Sequence, residues 1–429
     1  MTTSTILNGV PWFDDNGDIV NAHASCILED AGTYYLFGEY KTDDVNRFNG
    51  FSCYSSPDLS HWTHLGMALA PQPDGLMGPD RVGERVKVMR CPSTGKYVMY
   101  AHSDDMRYMD PHIIVAQADA VAGPYTVLGA LTCNGEPIRK WDMGTFQDDD
   151  GTGYLLLHEG DIYRLSADYL TAEELVAHEV AVGGESPAMA HIGDAYYLMF
   201  SNKTGWDRND NYYLTAPTPA GPWTNRGLFA PEGTCTWDSQ CSFIFPLTLA
   251  DGTVRHVYTG DRWSYPHQAS SATYVWLPLE VKDGALRLDG YMQVWDSRTA
   301  KPVADEIRAL PLVFRSNVRG AGAHASVDVN AGERVQVLGL RTGSSGYATV
   351  ELTGSDGYRL HTTVDFYTPA CDCGERIMFE SPELPAGRYD LSVTVDGEHG
   401  VWATKNGTAY GSDDNWVTVS AAAVVEAGR

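Results

Sequence analysis

The chain has 429 residues, room for one large domain and a smaller one. A formal charge of −26 repels phosphate backbones and anionic lipid, so nucleic-acid binding and membrane adhesion are not expected, whereas a neutral ligand meets no such field. With 43% hydrophobic and 11% aromatic residues, the composition is that of a cored protein and not of a disordered one.

Residues 1–8 show neither a basic start nor an apolar run, and no stretch of about 18 apolar residues follows, so the expectation is a cytoplasmic protein without a spanning helix. The eight cysteines are scattered, which is not a disulfide framework. Cys371-Asp372-Cys373 is the one tight pair, and two thiols fall short of a structural zinc site.

Along the first 300 residues one pattern recurs. A turn with Gly or Asp leads into a short aromatic and branched run: Gly32-Thr-Tyr-Tyr-Leu-Phe-Gly-Glu39, Gly95-Lys-Tyr-Val-Met-Tyr-Ala-His102, Gly151-Thr-Gly-Tyr-Leu-Leu-Leu-His158, Gly193-Asp-Ala-Tyr-Tyr-Leu-Met-Phe-Ser201 and Gly252-Thr-Val-Arg-His-Val-Tyr-Thr-Gly260. These are hairpin-to-strand signals without a sustained helical period. The turn glycines stand 42 to 63 residues apart, and each interval holds about four short strands. A second echo follows several of them, in Ser56-Pro-Asp-Leu-Ser-His-Trp62, Ala122-Gly-Pro-Tyr-Thr126 and Ala220-Gly-Pro-Trp-Thr224. Strand and corner together predict radially repeated blades that hide their edges against one another, five of them over roughly residues 8–300. A large β-sandwich or β-helix is the competing architecture, because the intervals are uneven.

Beyond residue 300 short alternating segments take over, such as Val335-Gln-Val-Leu-Gly-Leu and Tyr389-Asp-Leu-Ser-Val-Thr-Val. The chain is therefore read as all-β, a five-bladed β-propeller over 1–300 followed by a smaller β-sandwich over 301–429. Trp402 and Trp416 are read as filling the core of that sandwich, and the domain as structural support, with carbohydrate binding as the alternative. It packs either on the propeller or across a dimer in a homo-oligomer.

Four carboxylates stand beside Gly or Pro at strand ends inside the repeat: Glu39, Glu84, Asp142 and Glu185. Asp148, Asp149 and Asp150 precede a Gly turn and read as a hairpin loop. His23 and His102 are read as hydrogen-bonded groups near strand termini. Paired carboxylates around a concave site point to glycosidic hydrolysis, with one group held protonated as the acid. Phosphate-binding loops, a nucleophile elbow and a zinc-protease helix are missing from the sequence. A noncatalytic propeller that binds a partner is the rival class, since the fold does not specify a reaction.

The ordered set Asn21-Ala-His-Ala, Phe37-Gly-Glu39, Glu84-Arg-Val-Lys-Val-Met, Asp142-Met-Gly-Thr-Phe, Glu185-Ser-Pro-Ala-Met, Thr204-Gly-Trp, Ser239-Gln-Cys-Ser-Phe and Tyr258-Thr-Gly-Asp-Arg-Trp263 resembles glycoside hydrolase family 43. Within it, the set is similar to the exo-β-1,3-galactanase branch. The resemblance implies a propeller that inverts and hydrolyses neutral β-1,3-galactan or its oligosaccharides from the non-reducing end, releasing galactose. Glu185 would be the general acid and Glu84 the carboxylate that tunes and orients it. The segment Asn21-Ala-His-Ala has no Asp to serve as base, and Gln240 would instead position the nucleophilic water. Glu39, Tyr108, Asp142 and Thr204 would bind sugar. No cofactor is implied, and no cluster in the sequence supports a structural calcium ion. Inversion implies about 6.5–9.5 Å between acid and base, with Glu84 close to Glu185. Asp238, two residues from Gln240, would share its face on a strand. An α-L-arabinofuranosidase or β-xylosidase of the same family, or a noncatalytic galactan-binding module, are the alternatives.

Overall fold

A computed structural model describes residues 4–370, 374–404 and 407–427. The pair Cys371 and Cys373 lies outside the described residues. Five sheets follow one another, antiparallel except for one parallel pairing, of Cys133 with Ala172, in the third. They open with the strands His23–Asp30, Arg81–Arg90, Met143–Gln147, Gly184–Ile192 and Gln240–Thr248. Each of these first strands adjoins the first strands of the two neighbouring sheets, so the five close into a ring. The sheets are the blades of a propeller, numbered here in chain order.

The repeated turn-and-aromatic run has one structural meaning. Thr33–Glu39, Tyr97–Asp105, Gly153–Leu157, Ala195–Asn202 and Val254–Arg262 are the second strands of the five blades. Their alternation buries side chains on both faces, as a strand between two others requires. The Gly-Pro-aromatic corners lie between third and fourth strands, where Tyr125 turns back to cap its blade and its Oη donates to Val121 O at 2.8 Å. Residues 148–150 form the expected hairpin loop, closed by Gly151 N donating to Asp148 O at 2.9 Å.

Five apolar cores separate the blades, one in each wedge. The wedge between blades 5 and 1 holds Trp62, Trp276 and Trp295, all fully buried, and the N-terminal strand Thr5–Leu7 pairs there with Val294–Asp296. Burying such a ring stabilises the fold by about 1.5–3 kcal/mol per side chain, so the ring closure rests on hydrophobic wedges.

The last propeller strand is Lys301–Pro302, and Ile307–Leu310 opens a sandwich of two antiparallel sheets around a separate core. This second domain packs on the propeller of its own chain. Asp365 accepts a hydrogen bond from Ser264 Oγ at 2.9 Å, and Tyr347 Oη donates to Tyr265 O at 2.9 Å. Trp416 does not fill the sandwich core as expected; it is half-buried beneath Arg315, whose guanidinium lies 4.0 Å from its ring centre.

Candidate active site

The first strands share a local device. In blades 1, 2 and 4 a polar residue at the inner end, His23, Glu84 or Glu185, is followed by a left-handed residue. These are Ala24 at φ 47°, Arg85 at φ 58° and Ser186 at φ 56°, and the ladder slips at each place. A bulge turns the preceding side chain off the sheet, and a left-handed non-Gly residue costs about 1–3 kcal/mol. Blade 5 has its own slip just after Gln240. Blades 2, 4 and 5 thus direct Glu84, Glu185 and Gln240 toward the ring's mouth, at positions the surrounding fold must hold in place, while His23 of blade 1 stays buried.

A cavity of about 850 Å³ opens at that mouth. Glu39, Glu84, Tyr108, Asp142, Glu185 and Gln240 all line it, so six of the seven sequence-predicted site residues converge. Thr204 is the exception. Its hydroxyl donates to Asp207 O at 2.7 Å and accepts from Asn209 Nδ2 at 2.8 Å, which fastens its own loop, while Lys203 and Gly205 on either side face the cavity.

Arg85, which the sequence reading passed over, sits at the centre. Its Nη2 donates to Gln240 Oε1 at 2.7 Å and lies 3.1 Å from Asp142 Oδ2, and its backbone N–H donates to Glu39 Oε1 at 2.7 Å. The signal was a cation inside the inner strand Glu84-Arg-Val-Lys, where water would not solvate it. Trp263 Nε1 also donates to Gln240 Oε1, at 2.8 Å. Both partners are donors only, which fixes the amide orientation and occupies both lone pairs of its oxygen. Gln240 Nε2 in turn donates to Glu185 Oε1 and Ser201 Oγ, each at 2.9 Å.

This corrects the expected confrontation of Glu185 and Gln240 across a sugar. They project from equivalent ends of adjacent blades and touch, so in this arrangement Gln240 orients Glu185. Its oxygen meets water only after Arg85 or Trp263 gives way. Asp238 is corrected as well. Left-handed residues from Cys235 to Asp238 break the strand before Gln240 and turn Asp238 away. It is buried among Arg208 at 2.7 Å, Arg262 at 3.3 Å and Arg341.

The carboxylates have opposite electrostatics. Burial, then the charge of Asp142, pushes Glu185 up to about 8, against the pull of Arg85 and Lys203. Burial also acts on Glu84, but the His102 hydrogen bond and charge outweigh it and hold that carboxyl well below the usual range. Among the neighbouring charges, Asp142 acts most strongly on Glu185. Glu84 is fully engaged elsewhere, accepting from Tyr108 Oη at 2.8 Å and Asn46 Nδ2 at 2.7 Å and lying 3.1 Å from His102. His102 is raised to about 9; burial opposes this, and hydrogen bonds to Asp104 and Glu84 prevail. Glu84, His102 and Asp142 bring potential ligand atoms within 4.8 Å of one another. All three already engage protein partners, Glu84 with Tyr108 and Asn46, His102 with Glu84 and Asp104, and Asp142 with Ser186 and Arg85.

Tryptophan divides between two duties: Trp141, Trp206, Trp263 and Trp402 line the cavity. Trp402 comes from the sandwich domain, with Val401, Ala403, Thr404 and Tyr410, so its expected place in the sandwich core is also corrected. Nothing in the local sequence announces this; it follows from how the domains dock.

A ring of five blades with a proton-retaining carboxyl at its mouth defines a glycosidase-type propeller. The profile of glycosyl hydrolases family 43 matches residues 20–186. A Bifidobacterium bifidum protein provisionally assigned as an exo-β-1,3-galactanase is 38% identical, with 66% of this chain and 95% of that chain covered and a TM-score of 0.61. The exo-β-1,3-galactanase of Phanerochaete chrysosporium, solved with galactose and with β-1,3-galactotriose, is 26% identical over 98% of this chain and 100% of that one, at a TM-score of 0.72. An exo-β-1,3-galactanase from Clostridium thermocellum shares the fold across both domains, at 24% identity, TM-score 0.63, and coverage of 97% of this chain and 99% of that one. No curated protein sequence matches the chain. The chain belongs to glycoside hydrolase family 43, in its exo-β-1,3-galactanase branch.

Proposed function

We propose that the protein is an exo-acting, inverting β-1,3-galactanase that releases galactose from the non-reducing end of β-1,3-galactan or its oligosaccharides. The observation that carries this reading is the convergence of Glu185 with Glu39, Glu84, Tyr108 and Asp142 on the wall of one cavity, where burial and then the charge of Asp142 raise the Glu185 carboxyl to about 8. A general acid must be protonated at working pH and able to release its proton in the transition state. Glu185 gives its proton to the glycosidic oxygen as the bond to C1 breaks. Water adds to C1 from the opposite face and releases a proton to solvent, from which Glu185 is reprotonated, leaving galactose and a shortened chain.

Gln240 orients Glu185, and burial with the charge of Asp142 keeps it protonated against that hydrogen bond. Glu84 and Tyr108, held by Asn46 from behind, form a polar wall for sugar hydroxyls, and Glu39 stands beside it, paired with Lys41. The chemistry uses no metal or cofactor in this reading, and the neutral substrate suits the acidic surface. The inner end of blade 1 carries His23, fully buried, where an arabinofuranosidase or xylosidase of the family would place its base Asp. Incubation with β-1,3- and β-1,6-galactobiose tests the proposal: the 1,3-linked sugar is expected to yield galactose. Cleavage of the 1,6-linked sugar alone, or of neither, rejects it.

A further inference from the structure

The cavity is larger than one sugar needs, and part of its wall belongs to the other domain. In the sandwich, Val401–Ala403 pairs with Ala409–Gly411 as a hairpin, and Val401, Trp402 and Tyr410 reach the cavity. The two rings lie nearly parallel, 18° apart with centres separated by 6.5 Å. Facing them on the propeller, Trp206 and Tyr265 stack at 5.7 Å with planes 4° apart. Flat aromatic surface at a water-filled mouth suits the apolar face of a pyranose ring.

The hairpin's position is built. Gly205 has φ 65°, and a Cβ there would come within 3.3 Å of the Trp402 indole edge, so the indole rests directly on the blade 4 loop. At the hairpin base, a Cβ on Gly400 would fall 2.5 Å from Tyr265 O. That loop continues the strand Ala195–Asn202, whose Ser201 is the cross-strand partner of Glu185. The hairpin therefore borders the acid's blade. A general acid must adjoin the leaving oxygen, so what lies on its side of the cavity is the departing part of the chain.

We propose that the sandwich hairpin forms the leaving-group subsite, with Trp402 and Tyr410 as the platform for the second and third galactose units of a β-1,3-linked chain. The accessory domain is then part of the active site and selects oligosaccharides over galactosides with small leaving groups. Binding energy taken from these remote sugars assists the chemical step at the terminal one.

This inference rests on the galactanase reading, and its test separates the two. The quantity measured is kcat/KM for β-1,3-galactotriose divided by kcat/KM for 4-nitrophenyl β-galactopyranoside. Removal of a buried aromatic anchor corresponds to about a tenfold or larger loss, so this ratio is expected to fall by about that factor in Trp402→Ala. Trp402→Phe, which keeps a flat ring, is expected to restore most of it. Tyr410→Ala supplies the same measurement should Trp402→Ala fail to fold. An unchanged ratio, or a parallel loss on both substrates, overturns the subsite while leaving the galactanase reading intact. A wild-type protein inactive on galactotriose overturns both.

Discussion

Two buried clusters of arginine and carboxylate lie in this molecule, and they do opposite things. At the domain interface one carboxylate, Asp238, faces three guanidiniums, Arg208, Arg262 and Arg341. Burial opposes its charge, but the three cations win and hold Asp238 well below the usual carboxylate range. Asp207 and Asp365, beside the same arginines, are raised instead, because burial outweighs the cations there. At the propeller mouth the cations are spread, Lys41 on Glu39 and Arg85 on Asp142. One guanidinium, Arg85, is surrounded by the charges of Asp142, Glu39 and Glu185. There the cation cannot neutralise every neighbour, and Glu185 keeps its proton. The residue types are the same; the convergence of three guanidiniums on Asp238 at the interface, and the cavity beside Glu185 at the mouth, separate a structural tie from a proton donor.

The largest expected effect comes from removing that donor. Glu185→Gln is expected to lower turnover of β-1,3-galactobiose by about 10²–10⁴-fold while the protein stays folded, measured as initial galactose release beside a thermal unfolding curve. A substrate whose leaving group needs no proton is expected to recover part of the loss.

At the interface the readouts exchange places. Asp238→Asn removes the carboxylate that contacts all three guanidiniums, and a stability loss of about 3–5 kcal/mol is expected from denaturant unfolding at neutral pH. The folded-state value of Asp238 is depressed, so its contribution is present above the ordinary 3.8 and disappears as pH falls through the folded value. The gap between wild type and Asp238→Asn is therefore expected to narrow on acidification. A gap that stays constant or widens would remove Asp238 as the electrostatic tie.

The smallest effect sharpens the account of the mouth. Glu185 must be protonated to act, so kcat/KM is expected to decline as pH rises through about 8. Asp142→Asn removes a neighbouring negative charge, which lowers the Glu185 value and moves that basic limb toward acid pH, whatever it does to the absolute rate. An Asn46→Ala variant, altered at Glu84 instead, is expected to leave the limb in place. Equal displacement by both would return the tuning role to Glu84.

Much of the architecture was legible in the chain because it is local. Period-two alternation and the recurring turn before Tyr, Val and Leu mark the second strand of every blade, and the Gly-Pro-aromatic corners mark blade ends. The ordered acidic residues Glu39, Glu84, Asp142 and Glu185, with Gln240, identify the groups at the mouth. Their identities are carried by short motifs, and inner-strand ends in a closed ring have one place to meet.

What tertiary structure alone decided is every relation that depends on distance through space. Arg85 reaches Gln240 from 155 residues away, Arg341 reaches Asp238 from 103, and Trp402 lies against Gly205 from the other domain. A motif names a carboxyl but leaves open how many cations face it and how much water remains, and those two quantities set its charge. The sequence by itself determined which residues stand at the inner ends of the blades. Ring closure and domain docking determined which of them holds a proton, which ties the domains together, and which walls the cavity.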